Sequence, residues 1–340
     1  MRYKKFGKTG LEVSEICLGT WGIGGAGWDA HSDEERMDAI KAALDCGINF
    51  IDTAPAYNAG RAEQYIGETL HCLGARKHVI LTTKCGNKYV DGKYIRCGSE
   101  ALIRRQCEES LRNLQTDYID LYLVHWPDPN VSMEETIGAV AQLKKEGKIL
   151  HAGVSNFTKE QIEEAGKYCE IEAYQPQYSM LDGDNEAVIR WAAAQGMGIM
   201  SYGTLGGGIL TGTYREVRTF GETDNRNRFY PYFREPLFSK VMELLEVMDA
   251  IASERGVPLA QIAVNWTLQQ PFITSCIAGA QSRKKVEENC AGLEWQLTED
   301  EMHRLDQAIQ RYQFPVQCGE VYPLGRLHRR RCGKFGPQRA

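Results

Sequence analysis

The chain has 340 residues, of which 43% are apolar and 25% are charged, a composition typical of a globular protein with a large core. Its formal net charge of −5 argues against nucleic acid binding, and no apolar run is long enough for a membrane span or follows Met1 as a leader. We therefore expect a soluble, cytoplasmic protein with no membrane and no nucleic acid as partner.

Eleven cysteines are scattered through apolar stretches, for example at Cys17 and Cys276, without metal-ligand spacing. An odd number in this arrangement is typical of reduced thiols in a cytosolic protein. We expect no metal site.

The first 14 residues contain two short alternating segments around a Lys8-Thr9-Gly10 turn, which predict an N-terminal β-hairpin at the lower end of the fold. Eight short apolar or β-branched runs follow, separated by amphipathic stretches with apolar residues three and four apart. These strand candidates are residues 15–21, 48–54, 79–86, 119–126, 149–156, 171–179, 198–205 and 272–280.

Several of the amphipathic stretches begin with a capping box, in which a hydroxyl and a Glu or Gln three residues later satisfy free backbone donors. The candidate pairs are Ser32 with Glu35, Ser132 with Glu135, Thr158 with Gln161, and Thr298 with Glu301. Strands that alternate with helices imply a parallel sheet, and eight such units match a closed barrel. The sequence thus predicts an α/β fold, a (β/α)8 TIM barrel over residues 1–312, and a basic C-terminal tail over 313–340.

The connection after the seventh strand candidate, residues 206–236, is too long for a simple link and is rich in Gly, Arg and Tyr. We interpret this long loop as a functional segment at the upper rim of the barrel.

A second fold also has to be considered. The segment from Gly22 to Gly27 reads G-x-G-x-x-G, and Asp52 ends the next strand candidate, which is the outline of a dinucleotide-binding Rossmann unit. That motif functions only when its last glycine opens the helix. Here four residues precede the helix cap at Ser32, so the barrel is favoured.

Polar residues at strand ends are the candidates for chemistry, because the active sites of such barrels lie at the carboxyl ends of the strands. Asp52, Lys84 and His125 end three consecutive strand candidates, and Tyr57 follows the acid by five residues. Asp52 and Lys84 alone could be a structural ion pair, and Tyr57 alone a rim aromatic. Their combination points to catalysis.

With these four residues in place, the sequence resembles the aldo-keto reductases from about Tyr3 to Tyr312. Further motifs occur in the family's order and spacing: Gly153-Val154-Ser155-Asn156-Phe157, Gln175-Pro176-Gln177-Tyr178-Ser179, Tyr202 with Leu205-Gly206, and Val286-Glu287-Glu288-Asn289. The resemblance implies an NAD(P)H-dependent enzyme that interconverts a carbonyl (aldehyde, ketone or sugar) and an alcohol.

The resemblance also implies roles for individual residues. Tyr57 would donate the proton, Lys84 would lower the pKa of its phenol, Asp52 would hold Lys84 in place, and His125 would orient the carbonyl oxygen. The implied cofactor contacts are Ser155, Asn156, Gln175, Tyr202, Leu205, Gly206, Gly279, Gln281, Lys285, Glu288 and Asn289. Ser155 and Asn156 could instead cap a helix, and Tyr202 could be a plain rim aromatic.

Two departures from the family's pattern concern the cofactor. Gly203-Thr204 stands where many members have Ser-Pro, and Gly279 and Gln281 stand where a basic residue often reads the adenosine 2′-phosphate. Lys285, with Arg283 or Lys284, remains a candidate for that role. The sequence favours NADP(H) and leaves NAD(H) open.

We expect Trp21, Trp126 and aromatic residues of the long loop, such as Tyr230 and Tyr232, to line the substrate pocket, with Trp28 as a further candidate. Two other functions stay open: a nicotinamide-binding regulatory subunit similar to the potassium-channel β subunits, and a barrel enzyme with a phosphorylated ligand. A homo-oligomer is compatible with the sequence.

Overall fold

The structure is a computed structural model that describes residues 1–90 and 93–312. The predicted basic tail, residues 313–340, lies outside these described residues. Strands β1 (Tyr3–Lys5) and β2 (Glu12–Ser14) pair antiparallel, so the predicted N-terminal hairpin is confirmed.

Eight parallel strands close into a barrel, and every strand lies within a predicted segment. They are β3 (Ile16–Gly19), β4 (Phe50–Asp52), β5 (Ile80–Cys85), β8 (Ile119–Val124), β9 (Ile149–Ser155), β10 (Ala173–Gln175), β11 (Gly198–Ser201) and β12 (Ser275–Gly279). Around the barrel they are ordered β10-β11-β12-β3-β4-β5-β8-β9. A second hairpin, β6 (Asn87–Val90) with β7 (Lys93–Arg96), was not predicted, although the sequence between its strands, Asp91-Gly92, is a common hairpin turn signal.

Helices follow the strands as the barrel requires. They are α1 (Trp21–Gly24), α2 (Asp33–Asp45), α3 (Arg61–Leu73), α4 (Glu100–Asn113), α5 (Met133–Lys145), α6 (Lys159–Ala165), α7 (Glu186–Ala194), α8 (Asn225–Phe229), α9 (Leu237–Arg255), α10 (Leu259–Leu268), α11 (Arg283–Ala291) and α12 (Glu299–Tyr312).

Three of the four predicted capping boxes are complete, those of Ser32, Thr158 and Thr298. At the start of α5 only half of the box forms. Ser132 accepts from the Glu135 amide, but the Glu135 carboxylate accepts from the backbone of Glu100 instead.

Phe6, in the turn of the N-terminal hairpin, plugs the lower end of the barrel. It is fully buried and packs edge-to-face on Phe50, with ring centroids 5.3 Å apart. A side chain at Gly198 would overlap the Phe6 ring, at 2.4 Å, so this glycine makes room for the plug. With the lower end filled, the upper end is left for ligands.

The Rossmann alternative is wrong. Its glycines lie in the four-residue helix α1 and the loop after it, where Gly25 and Gly27 have φ of 90° and 72°. The Arg36 guanidinium stabilises this segment by donating hydrogen bonds to the carbonyl oxygens of Gly22 and Ile23. The next long helix begins only at Asp33, so the last glycine opens no helix.

The long loop contains three short helical segments, at Gly206–Thr211, Asn225–Phe229 and Pro231–Phe233. In the described part of the chain no helix is long and apolar enough to cross a membrane. The cytoplasmic location expected from the sequence stays a prediction.

Candidate active site

Four polar residues meet at the upper face of the barrel. The parallel register places Asp52 level with Gly19 on one side and Thr82 on the other. Lys84 lies two positions further along β5, Tyr57 lies in the turn after β4, and His125 directly follows β8. The folded barrel therefore gathers residues that are far apart in sequence.

Asp52 and Lys84 form a buried ion pair, and their side chains are at most 3% exposed. The Lys84 ammonium donates to Oδ1 and Oδ2 of Asp52 at 2.9 and 2.7 Å, and to the backbone oxygen of Thr53 at 2.8 Å. Burial raises the pKa of the Asp52 carboxyl, while donors from Lys84 and Gln175 oppose that rise. Removing one partner of such a pair leaves the other charge buried without a counter-charge, which lowers the free energy of unfolding by about 3 to 5 kcal/mol.

The phenolic oxygen of Tyr57 lies 3.2 Å from the Lys84 ammonium. Burial, reinforced by the negative charge of Asp52, nevertheless raises the pKa of Tyr57 well above its usual value. The expectation that Lys84 lowers this pKa stays a prediction, because the net rise reflects burial and Asp52 and leaves the contribution of the nearby ammonium open. The phenol keeps its proton at neutral pH and has one to donate.

The turn after Tyr57 is strained. Asn58 and Ala59 have φ of 52° and 50°, in the left-handed region that non-glycine residues rarely adopt. The Ala59 conformation costs of order 1 to 3 kcal/mol, which the surrounding contacts must offset, whereas Asn tolerates this region better. One such contact is the bond from the Asn58 amide to the backbone oxygen of Gly24, at 2.8 Å. This bond fixes the turn that presents Tyr57.

The imidazole of His125 lies beside Tyr57, with ring centroids 6.3 Å apart. Burial lowers the pKa of His125 well below its usual value, and the positive charge of Lys84 adds to the effect. The ring is therefore neutral at neutral pH. It offers one N–H donor and one acceptor to a ligand beside Tyr57.

On the opposite wall, β9 to β11 contribute a second polar group. The Tyr202 hydroxyl donates to the Asn156 side chain at 2.7 Å, and the Asn156 amide donates to the Ser155 hydroxyl at 2.9 Å and to the His125 backbone oxygen at 3.0 Å. Asn156 has φ of 63°, which Asn tolerates better than most residues. Neither Ser155 nor Asn156 caps α6, because Thr158 does.

Gln175 makes a contact that the sequence analysis did not foresee. Its side-chain amide donates to Oδ1 of Asp52 at 2.7 Å. The Ser155 hydroxyl donates to the Gln175 backbone oxygen at 2.8 Å, and it lies behind the wall of the site rather than on it. Ser155 therefore supports Asn156 and Gln175, and its contact with the cofactor stays a prediction.

A cavity of about 1270 Å³ opens above these residues. Pockets for small ligands usually measure about 300 to 1,000 Å³, so there is room for a dinucleotide beside a small substrate. Besides Asp52, Tyr57 and His125, most of the predicted cofactor and pocket residues line it: Asn156, Gln175, Tyr202, Leu205, Gly279, Gln281, Lys285, Glu288, Asn289, Trp21, Trp126 and Tyr230.

Two predicted residues are not among those that line the cavity. Gly206 is buried, and an added Cβ there would meet Leu181 and Ile209 at 3.0 and 3.1 Å. Its neighbours Gly207 and Gly208 line the cavity instead. Tyr232 is 3% exposed and donates to the Leu181 backbone, so it belongs to the core.

The three cations at the start of α11 have different surroundings. Arg283 is bound by Asp38 and Asp45, at 2.8 and 2.9 Å, on the outer side of α2. Lys284 is 85% exposed and pairs with Glu288. Lys285 lines the cavity, and no carboxylate of the described residues lies within ion-pair distance of it. It is the one of the three that is available to a ligand.

Aromatic side chains surround the cavity near Tyr57. The Trp21 ring stacks on Tyr57 at 6.0 Å between centroids, and Trp28 and Phe229 each meet Trp21 edge-on at 5.1 Å. Tyr230 lies beside Trp28 at 6.5 Å. Such a wall presents flat aromatic surface to whatever the cavity binds.

The long loop is fastened across the cavity, a feature that the sequence analysis missed. Arg226 is 4% exposed and pairs with Asp29 at 2.8 Å and with Asp224 at 2.7 Å. Beside it, the Asn225 side chain donates to the Ala26 backbone at 3.0 Å. We call these contacts between residues 224–226 and 26–29 the clasp. Its only local sequence signal was Asp224, which caps α8.

Two other expectations concern cysteines and metals. The cysteines in residues 1–90 and 93–312 are free thiols. The same residues contain no group of His, Cys, Asp or Glu that could hold a metal ion.

Comparison with known proteins agrees with this architecture. The family model described as "Aldo/keto reductase family" matches residues 15–310. "Aldo-keto reductase YhdN" of Bacillus subtilis (strain 168) is 36% identical over 312 residues, which are 91% of this chain and 94% of that protein. The "NADH-specific methylglyoxal reductase" of Escherichia coli (strain K12) is 32% identical, over 92% of this chain and 100% of that protein.

Among solved structures, the glycerol dehydrogenase AKR11B4 from Gluconobacter oxydans superposes with a TM-score of 0.82 at 30% identity, over 94% of this chain and 98% of that one. Nothing in these matches favours the regulatory-subunit alternative over an enzyme. The chain belongs to the aldo/keto reductase family, whose members use nicotinamide cofactors, and it is an oxidoreductase that acts on carbonyl or alcohol groups.

Proposed function

We propose that this enzyme reduces a small-molecule carbonyl, in an aldehyde, a ketone or a sugar, with Tyr57 as the proton donor. The observation that carries the proposal is the position of the Lys84 ammonium, which bonds both oxygens of Asp52 and lies 3.2 Å from the Tyr57 oxygen, beside a large cavity. A lone structural ion pair would need no phenol in this position.

Each residue has a distinct task. The chemistry that a bound nicotinamide would supply is hydride transfer to the carbonyl carbon. Tyr57 donates its proton to the carbonyl oxygen as negative charge develops there, and Lys84 stabilises the phenolate that remains. Asp52 fixes Lys84, which has no freedom to leave because Thr53 also holds it. The neutral imidazole of His125 orients the carbonyl oxygen through an N–H.

The residues around the cavity fit a nicotinamide dinucleotide. Oδ1 of Asn156 keeps one lone pair for a bound carboxamide, and the Gln175 amide keeps one N–H and Oε1. The Tyr202 ring offers a stacking surface. Gly207 and Gly208 have φ of 70° and 99° and leave backbone accessible to phosphates. Gly203 has φ of 84°, which a serine at this position would adopt only with strain, and this agrees with the departure from the family's Ser-Pro.

We further propose that the enzyme prefers NADP(H) to NAD(H). The support is Lys285, which lines the cavity and has no carboxylate of the described residues within ion-pair distance. Gly279 beside it leaves open space, since an added Cβ would meet nothing within 4 Å. A relative is named as NADH-specific, so family membership alone does not decide the cofactor.

A turnover assay tests the proposal. Sugars, aldehydes and cyclic ketones are offered to the purified enzyme with NADPH and, separately, with NADH, and the loss of nicotinamide absorbance is followed. We expect steady turnover of at least one carbonyl class, faster with NADPH. Tight cofactor binding without turnover of any class would contradict the proposal and favour a sensor.

A further inference from the structure

The hydrogen bond between Gln175 and Asp52 connects two parts of the site that no local motif connects. Gln175 ends β10 and Asp52 ends β4, and three barrel strands separate these two on either side. The bond therefore spans the mouth of the barrel. Both residues are 2% exposed and line the cavity.

The chemistry of the two side chains fixes the orientation of the amide. An ionised carboxylate only accepts, so the nitrogen of the Gln175 amide faces Oδ1 of Asp52, at 2.7 Å. One N–H is used in this bond. The second N–H and the carbonyl Oε1 have no partner among the described residues, and they are available to a ligand in the cavity.

The same Asp52 oxygen also accepts from Lys84, at 2.9 Å. A carboxylate that shares its charge between two donors holds each of them less strongly. Because the Gln175 amide occupies part of the Asp52 charge, the Lys84 ammonium stabilises the neighbouring phenolate of Tyr57 more strongly. Without that amide, the full charge of Asp52 would act on Lys84 and Tyr57.

We propose that Gln175 is a positioning residue for proton donation. Its amide can contact the cofactor and at the same time bonds Asp52, which holds Lys84 beside Tyr57. This inference rests on the proposed function, in which Tyr57 is the acid. A ligand that fixes the free N–H and Oε1 of Gln175 also fixes the donor on Asp52. Cofactor occupancy and the acidity of Tyr57 are then coupled, and the coupling is reciprocal.

The test compares Gln175→Met, which keeps the length of the side chain and removes the amide, with Asn156→Gly as the matched control. Asn156 also lines the cavity, where its Oδ1 keeps one lone pair for the cofactor, but it does not touch Asp52, and glycine accepts its left-handed backbone. Both variants should weaken cofactor binding, measured by fluorescence titration. Only Gln175→Met should move the alkaline limb of the pH profile of kcat/KM for reduction, to higher pH by about half a unit or more.

A second measurement needs neither cofactor nor turnover. A buried ammonium held by several oxygens exchanges its hydrogens slowly, so the Lys84 side chain should give an ¹⁵N resonance, identified by its loss in Lys84→Met. We expect Gln175→Met to shift this resonance in the cofactor-free protein and Asn156→Gly to leave it in place. Gln175→Glu should shift it too, in a pH-dependent manner, because the carboxyl group that this variant introduces can donate to Asp52 only when it is protonated.

The proposal is overturned if Gln175→Met weakens cofactor binding while the pH limb and the Lys84 resonance both stay where they are. Gln175 would then be a cofactor contact and nothing more. That result would leave the proposed function intact, whereas full activity of Tyr57→Phe would remove the proposed function itself.

Discussion

The ammonium of Lys84 is the only contact within hydrogen-bond distance of the Tyr57 phenolic oxygen in the described residues, at 3.2 Å, and it bonds Asp52 at the same time. The phenol keeps its proton at neutral pH because burial raises its pKa. The ammonium matters as this proton leaves, because it is the counter-charge for the phenolate that forms. This role of the ammonium leads to the first prediction.

Replacing Tyr57 by Phe should lower kcat by about 10²- to 10⁴-fold, or about 3 to 5 kcal/mol of transition-state stabilisation, because the alkoxide would form with no acid beside it. Cofactor affinity should barely change, since the ring remains. The double variant with Lys84→Met should be little slower than Tyr57→Phe alone, because both residues act on one proton. Steady-state kinetics that show simple multiplication of the two losses would refute this assignment.

Lys285→Ala should weaken NADPH binding by about 1 to 3 kcal/mol and leave NADH binding nearly unchanged, as expected for the loss of a charge-assisted hydrogen bond to a phosphate. Lys284→Ala is the matched control, because Lys284 is 85% exposed and pairs with Glu288. Fluorescence titration with both cofactors gives the two affinities. Equal losses for NADPH and NADH in Lys285→Ala would exclude a specific role at the 2′-phosphate.

The clasp makes a prediction about the long loop. Asp29→Asn weakens the ion pair with Arg226, so limited proteolysis within residues 213–234 should become faster in the cofactor-free protein. Saturating cofactor should slow cleavage in both the parent and the variant. Arg215→Gln serves as the control, because its ion pair with Asp249 lies on the exposed side of the same segment. Cleavage rates that change neither with Asp29→Asn nor with the cofactor would show that neither the clasp nor the cofactor holds the long loop in place.

The pH dependence of stability should report His125. Its pKa in the folded protein lies well below the usual value because of burial and the charge of Lys84, while in the unfolded chain it should lie near 6.5. Below about pH 6.5 the unfolded chain therefore binds more protons, and the free energy of unfolding falls as the pH falls.

His125→Gln should flatten this part of the pH dependence, measured by urea unfolding at several pH values between about 7 and 5. The difference between parent and variant isolates this residue from the chain's other histidines. An unchanged slope in the variant would mean that the folded protein protonates His125 as readily as the unfolded chain does.

The barrel and its catalytic end were accessible from the sequence. Strand periodicity and capping residues act over a few positions, so all eight barrel strands and the N-terminal hairpin could be predicted. Parallel strands end at the same face, and this alone brought Asp52, Lys84 and His125 to one place. These conclusions needed only patterns within short segments and the order of those segments along the chain.

Other features required the tertiary structure, because they depend on which way a side chain points and what a loop meets. Gln175 reaches Asp52 across 123 positions, and Arg226 reaches Asp29 across 197. Gly206 is buried while Gly207 lines the cavity, and Arg283 turns to Asp38 while Lys285 does not. No periodicity encodes such choices, since they are made by packing between segments that the sequence separates. The sequence by itself determined the barrel and the end at which chemistry occurs, and the packing of loops decided which donor faces which acceptor there.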